Sequence, residues 1–176
     1  MQPAALLLAI TGLLVFVFFA QVPRPDTSIE PLDYVLRSFY HVDVLHLLAN
    51  LFTLSRLQSI ANYMTFGQMV RMLLFLTLTS SLLLFAFHRL FPSTRVPTVG
   101  FSGVLVGLIV VKNIMLGSDL ETVATDILIQ ILPDLLRPRT SFLGHFSGAI
   151  AGILYVILLE SDRVSKNANN KLLRNA

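Results

Sequence analysis

The feature that most limits how this chain can fold is a series of apolar stretches close to 20 residues long. That is the length at which a helix crosses the ~30 Å hydrocarbon core of a bilayer. Pro3 to Val22 is interrupted by Thr11 and Gly12, and Gln68 to Phe87 is apolar after Arg71. Lipid offers no partners for backbone N–H and C=O groups, so stretches like these must close their own hydrogen bonds as helices. Only 13% of the 176 residues are charged, against about 25% in a typical soluble domain. The mean hydropathy is +0.74. These features describe an all-α integral, multi-pass membrane protein. They exclude intrinsic disorder, which needs low hydrophobicity and high net charge. A formal charge of +3 without a basic, aromatic-interleaved stripe argues against a nucleic-acid partner. The absence of cysteine excludes thiolate metal sites and a thiol nucleophile.

Six segments approach spanning length: 3–22, 40–62, 68–87, 99–116, 119–136 and 141–159. The first lacks a basic leader, and Pro23-Arg24-Pro25-Asp26 is a poor cleavage site, so it is expected to be a retained helix. The fifth holds Asp119, Glu121, Asp126, Pro133 and Asp134. Hydropathy leaves it equally a crossing or a re-entrant or interfacial segment, for five or six spans in all. Residues 23–39 form the longest polar link. Residues 1–160 are thus expected to be one transmembrane domain and 161–176 a short tail. Arg163, Lys166, Lys171 and Arg174 favour a cytosolic tail, whose partner the sequence leaves open.

Polar side chains inside spanning segments are costly, and each marks a candidate site. His41, His46 and Asn50 begin the second segment, Gly100-Phe101-Ser102-Gly103 begins the fourth, and His145 begins the sixth. Taken singly each has an ordinary reading, as an interhelical hydrogen bonder or a small packing residue. Parity joins them. If six segments cross, the even-numbered helices start on one side of the membrane, and all three clusters lie at one depth. His46 and Asn50, at i and i+4, then point the same way. Asp43, two residues after His41, is expected to face away from them at the interface, and His88, beside Arg89, to be an interfacial residue.

The small residues point to the same pairing. Gly103 and Gly107 lie four apart, as do Gly144, Gly148 and Gly152. Such stripes let helix backbones approach closely in lipid. A serine hydroxyl and an imidazole must come within about 3 Å for proton transfer. Bulky side chains between the fourth and sixth segments would prevent that.

At these residues the sequence resembles the rhomboid family of intramembrane serine proteases. Three motifs occur in order: His41-x4-His46-x3-Asn50, Gly100-x-Ser102-Gly103 and His145-x2-Gly148-x3-Gly152. The strings GFSGVLVGL and SFLGHFSGAIAGILY look most like rhomboids of the eukaryotic endoplasmic reticulum and Golgi. The resemblance runs from about Leu32 to Glu160. It implies a six-helix bundle in a Golgi or endoplasmic reticulum membrane, its site facing the lumen. It also implies Ser102 as nucleophile and His145 as general base. His46 and Asn50 would be oxyanion donors, aided by the Ser102 backbone N–H, with His41, Gly100 and Gly103 in support. Two features depart from the family: there is no Trp to pair with Arg37 in the first loop, and the fifth segment is unusually acidic.

The function implied is cleavage of transmembrane segments of other membrane proteins through an acyl-enzyme, with no metal or other cofactor. Zinc and aspartyl intramembrane proteases fit poorly, since the sequence has no His-Glu-x-x-His and no Gly-x-Gly-Asp. A histidine-lined channel or transporter lacks repeated halves. The alternative is a protein of the same fold that binds membrane clients without cutting them.

Overall fold

The computed structural model describes residues 2–22, 30–96, 98–136 and 142–161, with the helix alone described over 129–136. Among them every regular element is a helix. In chain order these are α1 (Pro3–Phe19), α2 (Pro31–Arg37), α3 (Val44–Arg56), α4 (Phe66–Leu90), α5 (Ser102–Met115), α6 (Leu120–Leu136) and α7 (Phe142–Tyr155). A 3-10 segment, Gln58–Tyr63, follows α3, and a π-turn, Val156–Glu160, extends α7. Among the described residues two helices, Phe66–Leu90 and Phe142–Glu160, are long and apolar enough to cross a membrane. Pro3–Phe19 and Ser102–Met115 are apolar but shorter.

Local chemistry sets most boundaries. The Asp43 carboxylate caps α3 by accepting the His46 N–H at 2.8 Å. Thr65 and Gln68 form a reciprocal capping box at the start of α4. Beyond α5, Gly117 takes a φ of +69°, and the Ser118 and Gly117 N–H groups bond the Asn113 and Ile114 carbonyls. That is a Schellman closure, which needs the left-handed residue glycine supplies. Asp119 then caps α6 through the Thr122 N–H at 2.7 Å.

Three expectations change. The 23–39 link contains a helix, α2, started by Pro31 with Asp33 in its first turn and Arg37 in its last. The 40–62 segment is not one helix: His41 lies in a loop ahead of α3, and the α-helical part ends at Arg56. Asp43 is therefore outside the helix, with an extended φ of −149°. The 100° step of a helix does not apply to it, and rather than facing away from His46 its carboxylate meets the His46 N–H. His88, in the last turn of α4, is 2% exposed, on the face that α2 covers.

α5 and α7 pack face to face at the centre, α4 lies against both, α1 and α3 flank them, and α6 lies on the outer side of α5 and α7. α1 is apolar all round yet buries only Leu7 and Leu14, as a helix facing lipid does. Because lipid is as apolar as leucine, association rests on close packing and on polar bonds rather than on the hydrophobic effect. Bonds of this kind join α5 to α6 and α4 to the end of α7. Asn113 on α5, 6% exposed, donates to Asp126 on α6 at 2.6 Å. Arg71 on α4 donates to Glu160 at 3.1 Å, and the Tyr155 hydroxyl donates to the same Glu160 oxygen at 3.1 Å. Residues five apart face different ways on an α-helix; the π-turn widens the helix so that Tyr155 and Glu160 meet.

Arg71→Leu should therefore remove the cation from a buried carboxylate and destabilise the bundle by roughly 1–3 kcal/mol. Adding Glu160→Leu should recover most of that loss, read as denaturation midpoints in detergent or bicelles. A single variant as stable as wild type would contradict the pairing.

Candidate active site

Ser102 is the first residue of α5 and His145 the fourth of α7, and both are half-buried. Each is next in sequence to a glycine at which the backbones of α5 and α7 approach closely. A Cβ built on Gly103 would lie 3.0 Å from the Gly144 carbonyl oxygen, and one on Gly148 would overlap the Gly103 carbonyl oxygen. The contact continues along the pair, with a Gly107 Cβ 3.0 Å from Gly148 O and a Gly152 Cβ 2.7 Å from Gly107 O. No side chain fits between the helices at these levels. The glycine ladder thus brings the start of α5, which carries Ser102, close to the first turn of α7, which carries His145.

The turn leading into α5 is equally tight. Gly100 has a φ of +117°, a backbone that side chains resist. A Cβ there would sit 2.6 Å from Cε1 of His46. The His46 imidazole therefore lies directly on the chain two residues before Ser102. Its neighbour Asn50, 3% exposed, donates through Nδ2 to the His46 carbonyl at 2.8 Å. An amide nitrogen carries two hydrogens, so one remains beyond that bond. The Ser102 N–H belongs to the first turn of α5, where helix N–H groups lack carbonyl partners and favour negative charge.

His41 stands beside this group, its ring centre 5.0 Å from that of His46 in an edge-to-face arrangement. Burial first, and the His46 imidazole second, push its pKa from 6.5 down to about 4, against the raising pull of the Phe39 backbone and Asp43. An open cavity of about 570 Å³ adjoins His41, between Tyr40 and the end of α1. No group of three metal-ligating side chains occurs among the described residues.

Sequence reasoning missed two contributors. Asp43 orients His46 by capping its helix, and the Arg37 carbonyl accepts the Gly100 N–H at 3.1 Å, tying α2 to the turn before Ser102. The signals were a Pro-initiated, acid-to-base heptapeptide at 31–37 and an Asp three residues before His46.

Comparison with known proteins follows the same residues. The Rhomboid domain family model matches residues 30–161. A protein of Acanthamoeba polyphaga mimivirus that carries a rhomboid name is 38% identical over 146 residues, covering 83% of this chain and 85% of its own. The mitochondrial rhomboid-like protein 14 of Arabidopsis thaliana is 33% identical over 145 residues, covering 70% of this chain and 42% of its own. No solved structure matches.

Two outcomes are expected. Gly148→Val should separate α5 from α7 and cost at least about 3 kcal/mol by overpacking, measured as loss of folded protein. A histidine whose folded pKa lies below its unfolded value stabilises fully above pH 6.5 and loses that contribution as pH falls toward 4. His41 ring signals in NMR should accordingly remain those of neutral imidazole at pH 5.5; a protonated ring there would contradict its burial.

Proposed function

The chain belongs to the rhomboid family, and from that premise we propose that it is an intramembrane serine endopeptidase working through a Ser102–His145 dyad. The single observation that carries this reading is the glycine contact that brings the first turns of α5 and α7 together. Ser102 attacks the scissile carbonyl carbon while His145 takes its hydroxyl proton. His46, the spare Asn50 N–H and the Ser102 backbone N–H hold the oxyanion. The C–N bond then breaks, His145 returns the proton to the leaving amine, and water hydrolyses the acyl-enzyme by the same route in reverse. A dyad suits the setting, because an unpaired third carboxylate would be a costly charge in an apolar surround.

The proposed topology is six crossings, with α6 as the fifth and both ends of the domain cytosolic. α5 has 14 residues, about 21 Å at 1.5 Å per residue, against a hydrocarbon core of ~30 Å. With its carboxyl end at the cytosolic interface, its first residue lies well below the lumenal surface. Substrate transmembrane segments enter sideways and unwind locally, because a helical peptide bond is shielded by its own hydrogen bonds. Residues that weaken helices near the lumenal face therefore mark the substrates. The membrane is that of the Golgi or endoplasmic reticulum, a reading supported by the strings around Ser102 and His145.

A fluorophosphonate probe should label the wild-type protein in membranes, Ser102→Ala should abolish labelling, and His145→Ala should slow it roughly 10³-fold or more. A wild type that neither labels nor cleaves would favour the client-binding alternative. Cysteines introduced at Ser118 and Thr140 should be reached from opposite faces of the membrane, and finding both on one face would overturn the six-crossing topology.

A further inference from the structure

One buried polar cluster takes no part in the steps above. His88, in the last turn of α4, is 2% exposed, and its Nδ1 lies 3.0 Å from the Tyr34 hydroxyl of α2. Its Nε2 is buried with no hydrogen-bond partner among the described residues. Whichever tautomer is present, one ring nitrogen goes unmatched there. Leaving a buried polar atom unmatched costs stability, whereas replacing both partners of a buried bond by apolar groups can be neutral or favourable. Stability alone gives no reason for a histidine at this position.

The contacts of α2 supply one. α2 has seven residues, too few to hold a helix by itself. Its one buried side chain is Tyr34, which meets Phe85 and His88 edge-on and carries the Arg37 guanidinium 5.0 Å from its ring centre. Ser38 adds a hydroxyl contact to Ser81 of α4 at 3.2 Å. The last carbonyl of α2, that of Arg37, in turn accepts the N–H of Gly100. A continuous line of contacts runs from His88 through Tyr34 and Arg37 to Gly100, and from Gly100 to His46 on one side and Ser102 on the other. Arg95 steadies the far side by donating its Nε–H to the His88 carbonyl at 2.9 Å.

We propose that Tyr34 and His88 are positioning residues: their hydrogen bond fixes α2 on α4, and α2 holds the Gly100 turn at the height where Ser102 and His46 work together. This rests on the serine-protease reading. A turn displaced by a fraction of an ångström would still bind a reagent but present it badly to Ser102, so the loss falls on the acylation step rather than on binding.

The test compares wild type, Tyr34→Phe and the double variant Tyr34→Phe/His88→Leu. Acylation by a fluorophosphonate is resolved into its saturating rate and its half-saturation concentration, and thermal stability is measured alongside. Both variants should acylate roughly ten-fold more slowly, with half-saturation unchanged and the double variant as stable as wild type. Rates equal to wild type, or rates that fall only in step with the folded fraction, would overturn the proposal. A second readout needs no activity. The chain has no cysteine, so Thr98→Cys carries a single spin label beside Gly100. Its mobility should increase in both variants, and unchanged mobility would overturn the anchoring. A wild type that does not acylate refutes the protease reading, and the spin label then decides the anchoring by itself.

Discussion

The backbone contact between Gly103 and Gly148 is the constraint from which the rest of the bundle follows. In water, burying leucines would hold two helices together; in lipid that force is absent, and proximity has to come from surface shape. Four-residue glycine spacing on both helices removes every side chain from one line of contact and lets carbonyl oxygens meet the opposite Cα positions. Leu76 of α4 packs onto Gly107 along the same line, which fixes α4 as the third member of the core. The buried apolar side chains, Leu108, Met72 and Tyr155 among them, fill the space around that contact. The same closeness brings together the helix starts that carry Ser102 and His145.

Around this core, charge is used sparingly and with partners. The acidic stretch after α5, an obstacle to reading that segment from hydropathy, breaks down into separate tasks. Asp119 caps α6, Glu121 occupies its first turn where the helix dipole favours it, and Asp126 accepts the Asn113 N–H. Over 120–128 the helix buries only Val123, and the Asn113–Asp126 bond ties that stretch to α5. At the end of α4 and α7 remote from His145, the Arg71–Glu160–Tyr155 group and its π-turn join the two helices.

How much of this is legible in the sequence depends on the range of the interaction. Apolar length and i, i+4 spacing are local, so the helices, the glycine stripes and the pairing of His46 with Asn50 can be read directly. Family membership is legible because three motifs occur in a fixed order, and the Rhomboid domain match spans them. What escapes is short or long-range. α2 is a heptapeptide whose helix depends on Tyr34 finding His88, 54 residues away. Asp43 reads as one more helical position until the backbone turns extended there. Asp126 looks misplaced until Asn113, 13 residues earlier, supplies its donor. The side chain of Asp134 and residues 162–176 of the tail lie outside the described residues.

The central claim is that Ser102 is activated by an imidazole brought beside it by the glycine ladder. A 4-chloroisocoumarin tests it directly, since it acylates an activated serine and then exposes an electrophile that the nearest nucleophilic side chain captures. Peptide mapping by mass spectrometry of the treated wild-type protein should recover one inhibitor joined to both Ser102 and His145. An adduct that joins Ser102 to a different residue, or no adduct on Ser102 at all, would contradict the claim.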